Sequence, residues 1–136
     1  MKIMRDRGAF MPDRAHATDA GADLRSPIDV IIPAHGSIVI DTGVHVELMP
    51  GTVGMLKSKS GLNVKYSITS EGVIDAGYTG SIQVKLYNYG YTDYEIQKGD
   101  KITQLVILPC FSADFIEVDH LKDTERGDGG FGSTGK

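Results

Sequence analysis

The sequence predicts an all-β fold, a sandwich or a barrel made of many short strands. Seventeen glycines and five prolines are spread along the 136 residues and leave few segments longer than a strand. Several of these segments alternate apolar and polar side chains, which is the pattern of a strand with one buried face. Short strands joined by regular turns are typical of β-sandwiches and barrels.

The predicted strands lie in the middle of the chain. Residues 44–48 alternate apolar and polar side chains and stop at Pro50-Gly51, so we predict a half-buried strand that ends in a turn. Residues 102–108 are apolar enough to predict a strand buried on both faces, which Pro109 ends. Further strands are predicted over residues 52–57, 81–87 and 91–96.

One short helix and one change of composition complete the predicted organisation. Residues 60–66 place Leu62 and Tyr66 four apart, which allows one or two helical turns. Residues 122–136 contain five glycines and a single large apolar residue, Phe131. We therefore predict one β domain over residues 1–121, followed by a flexible C-terminal arm over residues 122–136.

Charge and composition exclude several classes of protein. The formal net charge of −4 argues against a general nucleic-acid-binding or anionic-membrane-binding protein. The N-terminus has no apolar stretch long enough for a signal peptide. The single cysteine, Cys110, lies in an apolar run and is predicted to be buried and inert. These features predict a cytoplasmic protein.

The histidines and the cysteine point to water as the nucleophile. The four histidines show no metal-ligand spacing, and no Cys-x-x-Cys accompanies them, so zinc bound by protein ligands is not expected. The sequence lacks Gly-x-Ser-x-Gly, and Cys110 is predicted to lie inside a strand, which argues against a covalent nucleophile. Any hydrolysis by this chain is expected to use water directly.

The C-terminal residues carry groups that suit a nucleotide. Glycine amides within residues 127–135 can converge on an anion, and Arg126 offers a two-pronged donor to a phosphate. Ser133 and Thr134 add hydroxyl donors, and the ring of Phe131 offers a face on which a base can stack. The same composition is typical of an unstructured terminus, so the residues alone leave both interpretations open.

Three further segments combine turns with charged side chains. Residues 72–80 hold a carboxylate and a tyrosine between glycines, which suits a water and a sugar ring as well as a plain hairpin. Residues 57–61 supply two lysines and two serines, either as an anion site or as a solvated loop. Residues 19–24 carry two aspartates, which suit a hydrated metal ion or a simple turn.

Taken in order, these segments resemble the five motifs of the trimeric deoxyuridine triphosphatase (dUTPase) family. The matching segments are residues 20–24, 59–62, 72–80, 99–105 and 126–135. The resemblance implies a jelly-roll-like subunit of the β-clip type with one short helix. It also implies a homotrimer whose active sites lie between subunits, each covered by the C-terminal arm of another subunit. The implied reaction is hydrolysis of dUTP to dUMP and pyrophosphate.

The resemblance also assigns the catalytic roles. Asp75 would hold and deprotonate a water that attacks the α-phosphorus, and Gln104 would position that water or the α-phosphate. Tyr78 would pack under the deoxyribose and exclude a 2′-hydroxyl. Arg126 would close over the γ-phosphate.

Further residues would bind the substrate and a metal ion. Backbone groups of Val73 and Ile74, with the strand near Gln83, would bind uracil. Magnesium would bridge the triphosphate oxygens, and Asp23 would hold one of its waters. The resemblance also implies contacts to the phosphates from Lys59, Ser60 and Gly61 and to uracil from Phe131. Ser133, Thr134 and Gly135 would close over the γ-phosphate with Arg126, and Gly132 is a further implied substrate-binding residue.

Two positions depart from the family pattern, and two other functions are alternatives. Lys59 stands where the family usually has arginine, which keeps the charge but loses bidentate geometry. Thr69 stands where many bacterial relatives have asparagine near the sugar. A dCTP deaminase of the same fold would need a glutamate at the base and a different C-terminal segment. A nucleotide-gated binding protein would be expected to carry long insertions, and none interrupts residues 81–99.

Overall fold

The computed structural model describes residues 1–130, which form ten β-strands and one short helix. The strands are β1 (Lys2–Arg5), β2 (Gly21–Arg25), β3 (Val30–Ile32), β4 (Ser37–Asp41), β5 (Val44–Glu47), β6 (Thr52–Lys57), β7 (Ile68–Ile74), β8 (Gln83–Asn88), β9 (Tyr94–Ile96) and β10 (Lys101–Pro109), and the helix is α1 (Ser60–Tyr66). The predicted β fold with a single short helix is confirmed for these residues. None of their helical structure is long and apolar enough to cross a membrane.

Every pair of neighbouring strands is antiparallel. Six strands form one sheet in the order β2-β10-β6-β7-β8-β4, and two smaller sheets pair β1 with β5 and β3 with β9. On β10, Gln104 pairs with Asp23 of β2 on one side and with Lys57 of β6 on the other. Three segments that the sequence marked for chemistry therefore meet at one residue of β10.

The core is formed by the alternating apolar residues of the strands. Val84 and Leu86 of β8 are fully buried, whereas Lys85 between them is exposed. Burying a side chain of this size stabilises the fold by about 1.5–3 kcal/mol relative to leaving it in water. The buried cluster consists of Leu24, Ile32, Ile40, Val44, Val46, Leu48, Leu56, Ile68, Ile74, Ile82, Val84, Leu86, Ile96, Ile102 and Leu105.

Two predicted strands begin later than the local pattern indicated. The strand expected from residue 91 starts at Tyr94, and the strand expected from residue 81 starts at Gln83. Tyr91 instead packs edge to face against His35, with ring centroids 4.9 Å apart. Alternation within one segment predicts a strand, but the residue at which the strand begins depends on where its partner strand lies.

Two predictions about the end of the sheet are wrong. Ile102 and Leu105 are buried as expected, but Leu108 is 45% exposed, so β10 is buried on both faces only in its first half. Cys110, expected to be buried, is exposed. Beyond Val106 only β6 flanks β10, because the pairing with β2 has ended. The last residues of β10 therefore lose one covering neighbour before the chain leaves the sheet.

The chain continues from residue 110 to residue 130 without a helix or a strand. Several apolar side chains in this segment are almost fully exposed, at 98% for Phe111, 100% for Phe115 and 82% for Leu121. Leaving a run of apolar side chains in water is unfavourable.

Candidate active site

A cleft at the end of β7 brings together the four residues that the sequence analysis assigned to the nucleoside and Asp75, which it assigned to the attacking water. It has a volume of about 220 Å³ and is lined by Val73, Ile74, Asp75, Tyr78 and Gln83. Its walls are the end of β7, the start of β8 and the connection between these strands. Complete small-molecule pockets measure roughly 300–1,000 Å³, so the cleft suits part of a ligand, such as a base with its sugar.

The side chain of Tyr78 is held against the backbone of its own loop. The Tyr78 N–H donates to the Asp75 carbonyl at 2.9 Å, and the phenol hydroxyl donates to the Ser81 carbonyl at 2.9 Å. The ring covers Gly80, where a β-carbon would lie 2.6 Å from Cζ of Tyr78. Glycine at position 80 therefore makes room for the ring, and the hydroxyl of that ring is already bonded to the Ser81 carbonyl.

Asp41 anchors the start of β8 and was missed by the sequence analysis. Its carboxylate accepts hydrogen bonds from the Ser81 hydroxyl and from the Gly43 amide, the latter at 3.0 Å. The Ser81 hydroxyl and the Gly43 amide, with help from the Gln83 side chain, lower the pKa of Asp41 below its ordinary value. The local sequence Asp-Thr-Gly indicates only a turn, so no local signal revealed this contact.

A second group, which we call the lysine cluster, contains Asp23, Lys59 and Lys101. Lys59 donates to one carboxylate oxygen of Asp23, and Lys101 lies 2.6 Å from the other. Burial raises the pKa of Asp23, but the hydrogen bonds from Lys101 and Lys59 outweigh burial and hold the pKa below its ordinary value. The bond to Asp23 also raises the pKa of Lys101. Lys101 also lies 3.4 Å from Asp13, which in turn contacts Arg25, so these three cations and two carboxylates leave one excess positive charge.

Gln104 lies beside the lysine cluster. Its side-chain Nε2 donates to the Ser58 carbonyl at 3.1 Å, immediately before Lys59. Gly21 provides the space, because a β-carbon at position 21 would lie 2.9 Å from Cβ of Gln104. The segments around residues 20–24, 57–61 and 99–105 therefore converge, as the sequence analysis required, although Lys101 was not among its candidate residues.

The cleft and the lysine cluster lie towards opposite ends of the β6–β7 pair. Lys57 pairs with Glu71, and the Lys57 ammonium lies 3.0 Å from the Glu71 carboxylate. Asp75 follows Glu71 by four residues, which places it about 14 Å further along the strand at roughly 3.4 Å per residue. Asp75 and Lys59 of the same chain therefore do not reach a common phosphate.

The other predicted residues are less closely grouped. Ser60 and Gly61 begin α1 directly after Lys59 and are exposed. Thr69 pairs with Tyr87 near the start of β7, outside the lining of the cleft. Arg126 is exposed, and its Nε donates to the Gly129 carbonyl at 2.9 Å. The predicted contacts of Phe131, Gly132, Ser133 and Thr134 lie outside the described residues.

The acidic side chains suit a magnesium ion that they contact through water and do not ligate directly. Residues 1–130 contain no group of three or more side chains placed to ligate a metal ion. Magnesium commonly binds one or two carboxylates together with phosphate oxygens and waters. Asp23 is a buried carboxylate, but both of its oxygens accept hydrogen bonds from lysines. This arrangement suits an ion held by phosphates that contacts Asp23 through a water.

The antiparallel sheet, the hairpin cleft and the lysine cluster define an all-β protein that binds an anionic ligand with a ring-shaped part. The sequence profile of the dUTPase family matches residues 7–135. The chain belongs to the dUTPase family.

Individual relatives are similar over nearly the whole chain. The deoxyuridine 5'-triphosphate nucleotidohydrolase of Clostridium acetobutylicum is 44% identical over 139 residues, which cover 99% of this chain and 96% of that protein. The structure of a Staphylococcus bacteriophage 80alpha dUTPase mutant with dUpNHpp has a TM-score of 0.92 at 32% identity, over 99% of this chain and 98% of that one. A dUTPase mutant from S. aureus phage phi11, which coordinates a structural Mg(II) ion, has a TM-score of 0.81 at 31% identity, over 88% of this chain and 96% of that one.

Proposed function

We propose that this chain hydrolyses dUTP to dUMP and pyrophosphate. The observation that carries the proposal is the cleft at the end of β7, where Asp75 and Tyr78 lie beside the backbone of Val73 and Ile74. A relative with 32% identity was solved with dUpNHpp, a dUTP analogue. Family membership and the cleft together support dUTP as the substrate.

Asp75 is the proposed general base. Its exposed carboxylate accepts a proton from a water molecule in the cleft. The water oxygen forms a bond to the α-phosphorus while the bond from that phosphorus to the α,β-bridging oxygen breaks, and pyrophosphate leaves. A positioned general base typically contributes roughly 10²–10⁴-fold to the rate.

Tyr78 and the hairpin backbone are proposed to select the nucleoside. The ring of Tyr78 would lie under the deoxyribose and leave no room for a 2′-hydroxyl, because the contact with Gly80 and the bond to Ser81 hold it in place. Backbone groups of Val73 and Ile74, with the strand near Gln83, would pair with the uracil edge. A site built for one hydrogen-bonding pattern rejects other bases because its polar groups would be left unpaired.

The lysine cluster is proposed to bind the triphosphate. The Lys59 side chain is 25% exposed, so it can turn from Asp23 to a phosphate oxygen while Lys101 keeps its bond. Ser60 and Gly61 would add contacts from the neighbouring chain segment. Gln104 would orient the α-phosphate or the attacking water. Lysine acts here as a point charge and orients a phosphate less firmly than the two-pronged guanidinium of arginine.

Thr69, which stands where many bacterial relatives have asparagine near the sugar, is proposed as a further substrate-binding residue. It lies two residues before Glu71 on β7, at the end where Lys57 pairs with Glu71. Its hydroxyl is shorter than an asparagine amide, so we expect a weaker contact than the asparagine of bacterial relatives makes.

Magnesium is the proposed cofactor. The ion would neutralise charge on the phosphate oxygens and polarise the phosphorus towards attack. Asp23 would hold one of its waters after Lys59 has turned to the phosphates and freed one carboxylate oxygen. The phi11 dUTPase with its structural Mg(II) ion supports a role for magnesium in the family.

A homotrimer of jelly-roll-like subunits is proposed as the active assembly. Asp75 and Lys59 of one chain are too far apart to act on one α-phosphate, so the cleft of one subunit needs the lysine cluster of another. The exposed side chains of Phe111 and Phe115 supply apolar surface for this association. The resemblance to the trimeric family supports three subunits.

Residues 122–136 are proposed to form an arm that follows the β domain of residues 1–121 and closes over the site of another subunit. Arg126 is exposed, and its Nε bonds to the Gly129 carbonyl, which leaves the terminal guanidinium nitrogens to bind the γ-phosphate. Phe131 would stack on uracil, and Gly132, Ser133 and Thr134 would contact the γ-phosphate. Closure of such an arm shields the reaction from bulk water.

The cytoplasm is the proposed location, since the deoxynucleotides of this reaction are made and consumed there. Hydrolysis of dUTP keeps uracil out of DNA, and dUMP is the precursor for thymidylate synthesis.

The proposal is tested by measuring pyrophosphate release from dUTP, dTTP, dCTP and UTP, each with magnesium and with EDTA. We expect magnesium-dependent release from dUTP and at least about 100-fold less from the other three, as a site that hydrogen-bonds its substrate rejects analogues strongly. Ammonia release from dCTP would indicate a deaminase instead. Absence of turnover with all four nucleotides would contradict the proposed function.

A further inference from the structure

His45 of β5 joins two parts of the molecule that are distant in sequence. Its ring nitrogen Nδ1 lies 2.9 Å from the Thr79 carbonyl oxygen, and Nε2 lies 3.3 Å from a carboxylate oxygen of Asp6. The His45 side chain is only 17% exposed, so both contacts are partly shielded from water. The ring therefore bridges the turn after β1 and the connection between β7 and β8.

The two partners of this ring are both acceptors. A neutral imidazole has one N–H, so it can donate to the Thr79 carbonyl or to the Asp6 carboxylate, but not to both. The other ring nitrogen would then direct a lone pair at an oxygen. Only the protonated imidazolium donates at both ends, and its bond to the carboxylate is a charge-assisted one.

Thr79 belongs to the loop that carries the nucleoside-binding side chains. At one end of this loop the Tyr78 N–H donates to the Asp75 carbonyl, and beyond the other end the Ile82 N–H donates to the Val44 carbonyl at 2.8 Å. The bond from His45 to Thr79 holds the loop between these points, one residue from Tyr78. A change at His45 is therefore transmitted directly to the cleft.

We propose that His45 is a positioning residue which, when protonated, holds the loop of residues 75–80 in the form that binds the nucleoside. This inference deepens the proposed function and rests on it, because it takes the same cleft as the site of binding. Loss of the proton releases one of the two contacts. The loop is then held less firmly, and forms of the loop that do not accept the substrate compete with the form that does.

The charges around His45 favour the protonated form. The hydrogen bonds to the Thr79 carbonyl and the Asp6 carboxylate raise the pKa of His45 above its ordinary value, and the nearby carboxylate of Asp41 acts in the same direction. Lys2 and Glu47, which line the cavity beside His45, form an ion pair with each other. Because the folded pKa is raised, both contacts of the ring, which together form the tether of the loop, are present below pH 6.5, and one of the two is lost as the pH rises through the higher folded value.

The first test is amide hydrogen exchange of residues 76–80 between pH 6 and pH 9, corrected for the intrinsic exchange rates. We expect protection in the unaltered protein to fall about tenfold over this range, as for the loss of one charge-assisted hydrogen bond. His45→Gln should show low protection that does not change with pH. His16→Gln is the matched control, because His16 is exposed and its side chain makes no hydrogen bond among the described residues. Equal pH dependence in the unaltered protein and His45→Gln would overturn the proposal.

The second test is the pH profile of dUTP hydrolysis by the whole protein. A smaller fraction of competent loop weakens apparent binding in proportion, so we expect His45→Gln to raise KM about tenfold and to change kcat less than about threefold. In the unaltered protein KM should rise with pH, and this rise should be absent from His45→Gln. Asp6→Asn serves as a second variant, since the Asp6 side chain is 59% exposed and its replacement leaves the core unchanged. Asp6→Asn should also abolish the pH dependence of KM. A pH dependence that persists in this variant would contradict the proposed role of His45.

Failure of the proposed role of His45 can be distinguished from failure of the proposed function. Amide exchange does not depend on turnover, so it reports on the tether directly. A protein that hydrolyses dUTP but shows no pH-dependent protection of residues 76–80 would overturn the role of His45. A protein that does not hydrolyse dUTP would overturn the proposed function, whatever the exchange shows.

Discussion

The phenol ring of Tyr78 lies against Gly80 so closely that a β-carbon at position 80 would be 2.5 Å from the hydroxyl oxygen and 2.6 Å from Cζ. The ring is thus oriented by the absence of a side chain two residues away. This contact makes the shape of the cleft depend on a glycine that does not itself line it.

Gly80→Ala should displace the Tyr78 ring and impair the cleft. A methyl group at this distance forces the ring or the loop to move, and a misplaced sugar platform is expected to lower kcat/KM for dUTP by roughly 100-fold. Gly77→Ala is the matched control, because a β-carbon at position 77 would meet nothing within 4 Å. Steady-state kinetics of both variants check the prediction, which is wrong if they are equally active.

Asp75→Asn should fold normally and lose most of its activity. The amide is nearly isosteric with the carboxylate but cannot accept the proton of the attacking water, so we expect kcat to fall by roughly 10²–10⁴-fold. Glu95→Gln, at an exposed position on β9, makes the same chemical change far from the cleft and should keep full activity. Substantial turnover by a pure preparation of Asp75→Asn would reassign the base.

Asp23→Asn should lower stability in a pH-dependent way. The folded pKa of Asp23 lies below its ordinary value of 3.8, because the bonds from Lys101 and Lys59 outweigh burial. Its contribution is therefore complete above pH 3.8 and is lost as the pH falls through the lower folded pKa. Removing the carboxylate should cost on the order of 2 kcal/mol at pH 7.

Urea unfolding at one fixed protein concentration measures this effect, because the stability of an oligomer depends on concentration. The difference between Asp23→Asn and the unaltered protein should shrink between pH 5 and pH 3. A difference that stays constant over that range would show that the bonds to Lys59 and Lys101 do not stabilise the fold.

Phe115→Asp should weaken the association of subunits without unfolding the domain. Phe115 is 100% exposed in the single chain, so a charge there costs the isolated domain little. If the ring packs on a neighbour, the charge is buried without a partner and the assembly dissociates. Sedimentation velocity measures the change, with Tyr91→Asp as a control at another aromatic residue that is 89% exposed. An unchanged sedimentation coefficient would place Phe115 outside the interface.

Removal of residues 126–136 should leave the proposed trimer intact and abolish most catalysis. The segment contains Arg126 but none of the apolar residues of 111–121 on which the association is proposed to depend. Its loss would remove the proposed closing contacts to the γ-phosphate, which are expected to act mainly on kcat. Light scattering and pyrophosphate release on the same sample check both expectations. Dissociation of the trimer on truncation would make the arm a structural element.

The sequence predicted the strands and the helix whose signal lies within a single segment of the chain. The alternation over residues 44–48, the short strand predicted over residues 52–57 and the spacing of Leu62 and Tyr66 agree with β5, β6 and α1 at or close to their observed bounds. Each of these signals is complete within one segment, because a strand or a helical turn repeats every two or about four residues. The exposure of Cys110 was mispredicted, since it depends on where β2 stops covering β10.

The order of the five motifs along the chain determined the family, and with it the expected reaction, because the motifs are read from the sequence without knowing the fold. The tertiary structure alone decided that Lys101 shares Asp23 with Lys59, that Gly80 receives the Tyr78 ring, and that Asp75 and the lysine cluster stand apart. These relationships follow from the register between strands far apart in sequence, which sets their distances but leaves no periodic trace in any one of them.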